Sequence, residues 1–108
     1  MLRTALIAAV IASVVVGYAS ASTLTRPQIL AELKNLEVCV RTMCVPSGDA
    51  GMSIGYAKTV LGKLAQQPNA LDRWVTQRLN ATVLLLEQKK LREGLEALQA
   101  SIRELPAA

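Results

Sequence analysis

The sequence predicts an all-α protein: an amino-terminal signal or transmembrane helix, then a small helical hairpin or three-helix domain with a possible coiled coil. Beyond residue 25, apolar residues recur at alternating steps of three and four, the spacing of one helix face. No segment shows the two-residue alternation of a half-buried strand. Clustered proline and glycine at residues 46–51, and the turn sequence QPN at 67–69, divide the domain into three helical segments.

The amino-terminal segment carries the features of an export signal. Thr4–Thr25 is an uncharged run of 22 residues behind Arg3, and it contains the small residues Ala19-Ser20-Ala21. We expect a signal peptide over residues 1–21, cleaved after Ala21. The alternative is an uncleaved anchor extending to about residue 25, with its amino terminus in the cytoplasm. Either way residues 26–108 form an exported envelope domain, periplasmic or secreted after cleavage and otherwise attached to the inner membrane as a single-pass protein.

The first helix is predicted over residues 26–44. Thr25 is a suitable N-cap, and Gln28 stands three residues later, as in a capping box. Pro27 is tolerated in a first helical turn. The apolar stripe of this helix consists of Ile29, Leu33, Leu36, Val40 and Met43.

The second helix is predicted over residues 53–66 and the third over 69–105. Asn69 is a plausible N-cap for the third helix, with Asp72 at its third position. Its apolar spacing predicts an interaction seam, which fits either a coiled coil or an antiparallel hairpin with the first helix. The seam residues are Leu84, Leu91, Leu95, Leu98, Ile102 and Leu105. The apolar stretch Val83–Glu87 is expected to be buried on more than one side.

The pentapeptide GMSIG, Gly51–Gly55, fits the pattern of a serine-hydrolase nucleophile elbow. Such an elbow needs a strand before the serine and a histidine to accept its proton. The sequence has no histidine, and VPSGDA, which precedes Gly51, is not an apolar strand. A Ser-x-x-Lys pairing also fails, because Tyr56 stands where the lysine would be. We therefore predict no catalytic residue, and we expect Ser53 to cap the second helix.

The two cysteines, Cys39 and Cys44, are predicted to form a structural disulfide, as in most exported proteins. A regular α-helix separates residues five apart by about 8 Å along and around its axis. Bridged cysteines need Cα atoms within about 7 Å of each other. A bond within one chain therefore requires the helix to loosen before Cys44, which nearby Pro46 favours. In a regular helix the cysteines would bridge between chains.

Composition excludes several classes of function. The net charge of +4 is spread along the chain, and beyond the amino-terminal segment the aromatic residues are Tyr56 and Trp74 alone. A nucleic-acid-binding face is therefore not predicted. Two cysteines without histidine cannot supply four zinc ligands within one chain. No phosphate-binding loop is present. We predict no metal, no cofactor and no small-molecule substrate.

The layout resembles that of the inner-membrane spanins of bacteriophage lysis cassettes: a short cytoplasmic start, one apolar segment and a small helical envelope domain. The resemblance implies a membrane-anchored lysis protein. Spanin ectodomains are densely charged, whereas this domain has long apolar seams. The leading hypothesis is therefore a non-enzymatic exported protein that acts through protein–protein contact or self-association in the cell envelope. The spanin-like protein is the alternative.

Overall fold

The computed structural model describes residues 24–66 and 68–107, and within these ranges all regular secondary structure is helical. Helix α1 comprises an α-helix Arg26–Cys39, a π-helical turn Val40–Cys44 and a closing α-helical turn Val45–Ser47. It is followed by α2 (Gly51–Leu64), α3 (Ala70–Glu87) and α4 (Leu91–Arg103). Over these described ranges the predicted all-α class is confirmed, with four helices rather than a hairpin or three.

The predicted signal or anchor segment lies outside the described residues. Among the helices that are described, none combines the length and apolarity needed to span a membrane.

The four helices pack as an antiparallel bundle in which each helix contacts the next and α4 returns to α1. Polar contacts join every neighbouring pair: Tyr56–Glu32 (3.1 Å), Lys58–Glu87 (3.5 Å), Arg78–Glu104 (2.8 Å) and Arg26–Pro106 O (2.7 Å). Between the helices lies one apolar core. Its main side chains are Ile29, Leu33, Leu36, Val40, Val60, Leu64, Val75, Leu79, Leu86 and Leu98.

Two of the three predicted amino-terminal caps, those at Thr25 and Asn69, are confirmed. The Thr25 hydroxyl accepts a hydrogen bond from the Gln28 amide (3.3 Å), and the Gln28 side chain accepts one from the Thr25 amide (2.8 Å). Asn69 and Asp72 form the equivalent pair of hydrogen bonds at the start of α3, of 2.8 and 3.2 Å. These boxes provide partners for amides that have no acceptor within the helix.

The π-helical turn changes which residues of α1 face the core. The predicted stripe is buried as far as Val40, but the next predicted member, Met43, is 51% exposed, and Cys44 is 2% exposed instead. A π-helical turn contains one more residue than an α-helical turn, so the buried position moves from 43 to 44. Pro46 gives the physical reason, because its ring cannot be accommodated against the Thr42 carbonyl in a regular helix. The Val45 amide donates to Val40 O instead.

The prediction of one continuous helix over residues 69–105 is wrong, because the chain reverses direction at residues 88–90. The Lys90 amide donates to Leu85 O (2.9 Å) and the Lys89 amide to Leu86 O (3.0 Å), which is a Schellman motif. Lys89 occupies the left-handed position of this motif, with φ of 61°. Glycine usually holds that position, so the sequence contained no signal for the end of α3.

The reversal brings α4 back against α3, at a distance that Gly94 makes possible. A Cβ atom at Gly94 would lie 2.8 Å from Leu86 Cδ2 and 3.2 Å from Leu86 Cγ. The close approach of the two helices therefore depends on the missing side chain at residue 94.

The apolar stretch Val83–Glu87 is predicted to be buried on more than one side. Val83 and Leu86 are buried, whereas Leu84 is 55% exposed.

Replacing Lys89 with glycine should stabilise the protein. A residue with a Cβ atom is strained in the left-handed conformation by about 1–2 kcal/mol, and glycine is not. We expect a gain of about 1 kcal/mol after the greater entropy of the unfolded chain is subtracted. The control is Lys90→Gly, in the same connection but with φ of −90°, which should gain nothing. Urea unfolding of both variants measures the difference; equal effects would contradict the strain at Lys89.

Gly94→Ala should destabilise the protein, although alanine is the better helix former by about 1 kcal/mol. The added methyl group overlaps the Leu86 side chain, and overpacking of a core typically costs about 1–3 kcal/mol. Gly62→Ala is the matched control, since Gly62 lies in α2 with open space around its Cβ position, and it should be stabilising. Thermal unfolding followed by circular dichroism reads both. A higher melting temperature for Gly94→Ala would show that α3 and α4 are less closely packed.

Candidate functional site

The serine of the GMSIG pentapeptide does not cap α2. This helix begins at Gly51, two residues earlier than predicted, and its N-cap residue is Ala50. The Asp49 carboxylate accepts the Gly51 amide at 2.9 Å and so performs part of the capping. Ser53 is consequently the third residue of the helix, and it is fully buried against α1. Its environment, rather than the pentapeptide pattern, defines the candidate site.

The Ser53 hydroxyl lies against both cysteines of the chain. Its oxygen is 3.1 Å from Cys39 Sγ, to which it donates, and 2.9 Å from Cys44 Sγ. With that arrangement, the Cys44 thiol is the donor to Ser53. Residues five apart face the same side in a π-helical turn, so the loosening expected before Cys44 does occur. A disulfide within the chain is nevertheless not formed, and both cysteines are free in the single chain. A bridge between chains stays a prediction.

The two cysteines line a surface depression of about 490 Å³ between the end of α1 and the start of α2. Two methionines, Met43 and Met52, line the same depression and are 51% and 72% exposed. The remaining lining residues are Thr42, Pro46, Ser47 and Asp49. We call this feature the sulfur depression. Sequence reasoning found the cysteines but missed the methionines, although Cys39, Met43 and Cys44 fall within six residues.

The predicted interaction seam lies largely inside the chain's own core. Leu98 and Leu105 are buried, and Leu91, Leu95 and Ile102 pack partly buried against the same core. Leu84 alone among the six is a large exposed apolar residue. The reversal at Lys89 separates it from the other five, because they follow the turn and it precedes the turn.

Two further polar groups stand out, and both act in the fold. The pKa of the Tyr56 phenol is raised, mainly because burial removes the phenol from water. A hydrogen bond with Asn35 lowers this pKa, and Glu32 raises it further. The neutral phenol can therefore keep its hydrogen bond to Glu32 between α2 and α1. Asp72 is 3% exposed and uses Oδ2 in the α3 cap, while its Oδ1 has no partner among the described residues.

Ser53→Ala should lower stability by about 1 kcal/mol, because the buried Cys44 thiol and the half-buried Cys39 thiol lose their common hydrogen-bond partner. Thr59→Ala is the control, since the Thr59 hydroxyl is exposed and bonds only to Gly55 O of its own helix; its effect should stay below about 0.5 kcal/mol. Urea unfolding under reducing conditions measures both. Equal effects in the two variants would mean that the hydroxyl–thiol contacts contribute nothing to the fold.

The described residues contain no cluster of three or more His, Cys, Asp or Glu side chains that could hold a metal ion. A metal ion in the sulfur depression would therefore need a methionine thioether as a ligand beside the two cysteines. No family model matches the chain, and no curated protein or solved structure matches it significantly either.

Proposed function

We propose that this protein is a non-enzymatic interaction protein, which binds another protein or a second copy of itself through exposed apolar side chains. The observation that carries the proposal is the exposure of Val38, Met43 and Met52, at 47%, 51% and 72%. We call these three residues the methionine surface. Val38 lies one helical turn before Thr42, which itself lines the sulfur depression. Apolar side chains exposed together commonly mark sites of protein contact.

The chemistry of methionine supports this role. Its unbranched side chain has several rotatable bonds and a polarizable sulfur, so it can adapt to the shape of a partner. Met43 and Met52 border the sulfur depression, whose volume of about 490 Å³ has room for an apolar side chain of a partner. Ser53 supports the non-enzymatic part of the proposal, because it is fully buried beside two thiols in a chain without histidine.

The proposed place of action is the cell envelope, and the uncharged run Thr4–Thr25 is the basis for it. Measuring the protein's mass in the soluble and membrane fractions tests this part. Loss of the first 21 residues would support an exported soluble binder. Retention in the membrane fraction would favour the anchored, spanin-like alternative.

In-cell photo-cross-linking tests the interaction. A photoreactive amino acid at Val38 should give a discrete heavier species, and mass spectrometry then distinguishes a homodimer from a second protein. Adding Met52→Asp to the same chain should abolish that species, because a partner would have to desolvate the new carboxylate. Met52 is largely exposed, so the substitution should change stability by less than about 0.5 kcal/mol.

Two controls accompany this experiment. Met52→Leu preserves the apolar surface and should leave the cross-link intact. Asn80→Asp adds the same negative charge at an exposed position of α3, away from the methionine surface, and should also leave it intact. A cross-link that persists with Met52→Asp, or the absence of any discrete species, would contradict an interaction through this surface.

A further inference from the structure

The four sulfur-containing residues that the structure describes all line one depression. The sequence contains two cysteines and three methionines, and Cys39, Met43, Cys44 and Met52 all border the sulfur depression. They come from two helices, since the first three lie at the end of α1 and Met52 is the second residue of α2. The fold thus collects soft donor atoms from separate parts of the sequence at one accessible place.

The geometry brings the two thiols to one point. Each sulfur is within about 3 Å of the same Ser53 oxygen, at 3.1 Å for Cys39 and 2.9 Å for Cys44. Cys44 is 2% exposed and Cys39 is half-buried, so the pair forms the inner wall of the depression. The methionines are exposed at its border, and their rotatable side chains can turn a thioether inward.

The donor set selects the class of metal. Thiolate and thioether sulfur are soft ligands that favour Cu(I), whereas zinc sites in proteins use four nitrogen, sulfur or carboxylate ligands. The sequence offers no histidine for such a zinc site, and the described residues contain no group of three or more His, Cys, Asp or Glu side chains that could hold a metal ion. We infer that the sulfur depression is a Cu(I)-binding site, with the thiolates of Cys39 and Cys44 and a thioether from Met43 or Met52 as ligands.

Binding needs no change of oxidation state. Each thiol releases its proton to solvent as it forms a bond to the metal, so one Cu⁺ replaces two protons and the site gains a single negative charge. Two features can stabilise that charge. Ser53 already donates a hydrogen bond to Cys39 Sγ and would act as the outer partner of the ligand. The start of α2, where Ser53 lies, carries the positive end of the helix dipole.

Competition with a colorimetric Cu(I) chelator, bathocuproine disulfonate, tests the inference. The full chain, reduced and kept without oxygen, should withdraw one Cu(I) per molecule from the chelator. Cys39→Ser and Cys44→Ser should each weaken binding by at least about 100-fold, and Met43→Leu with Met52→Leu by about tenfold. Bound Cu(I) should also protect both thiols from alkylation and raise the melting temperature, because the metal binds the folded state.

The outcomes separate this inference from the proposed interaction. Leucine at 43 and 52 keeps the apolar surface for a partner but removes the thioethers, so only Cu(I) affinity should fall. Ser53→Ala should keep the stoichiometry of one, since a hydroxyl is not a ligand here. Failure of the chain to compete with the chelator, unchanged affinity in either cysteine variant or the double leucine variant, or equal affinity for Zn(II) would overturn the assignment.

Discussion

The π-helical turn at Val40–Cys44 is the constraint on which the sulfur depression depends. Pro46 lacks an amide hydrogen and its ring interferes with the preceding turn, so α1 must widen or break before it. Widening keeps the helix intact and inserts one residue into the turn. As a result Cys44 enters the core, Met43 is turned out to solvent, and Cys39 comes to the same side as Cys44.

The remainder of the bundle holds this end of α1 against α2. Ser53 fits fully buried between the helices because its side chain is small and its hydroxyl has sulfur partners on both sides. At the opposite end of the bundle, the Arg26 guanidinium bonds to the carbonyls of Pro106 and Leu105, which follow α4. The first and last described helices are thereby joined, although they are far apart in the sequence.

The exposed sulfur groups are compatible with two uses of the same surface. An apolar contact uses the bulk and adaptability of the methionine side chains, whereas metal binding uses their sulfur atoms and those of the cysteines. Copper bound by Cys39 and Cys44 would lie beside Met43 and Met52 and would alter the charge of the surface offered to a partner. The two proposals are nevertheless independent, because each depends on a different property of methionine.

Local patterns determined a large part of this fold. The helical class, the buried positions Ile29, Leu33 and Leu36, and the caps at Thr25 and Asn69 could be predicted from the sequence, whereas the predicted cap at Ser53 was wrong. Each of these depends on residues within one or two helical turns of one another, and such signals are contained in the chain itself. Ser53 of the GMSIG pentapeptide lies buried in the first turn of α2, after a helical turn rather than a strand.

Tertiary packing decided the rest. The end of α3 was not predictable, because Lys89 occupies a left-handed position that is usually occupied by glycine. The packing of α4 on Leu86 compensates for the strain at Lys89. That reversal folds five of the six predicted seam residues into or against this chain's own core, where α4 packs on α3 and α1. Part of the candidate site could be predicted, because Cys39 and Cys44 are identified by residue type. Ser53 and Met52 join them only when α2 packs on α1. Sequence alone determined the helical class and the caps at Thr25 and Asn69. The contacts between helices decided where the chain turns and which sulfur atoms meet, because those outcomes depend on residues brought together only by folding.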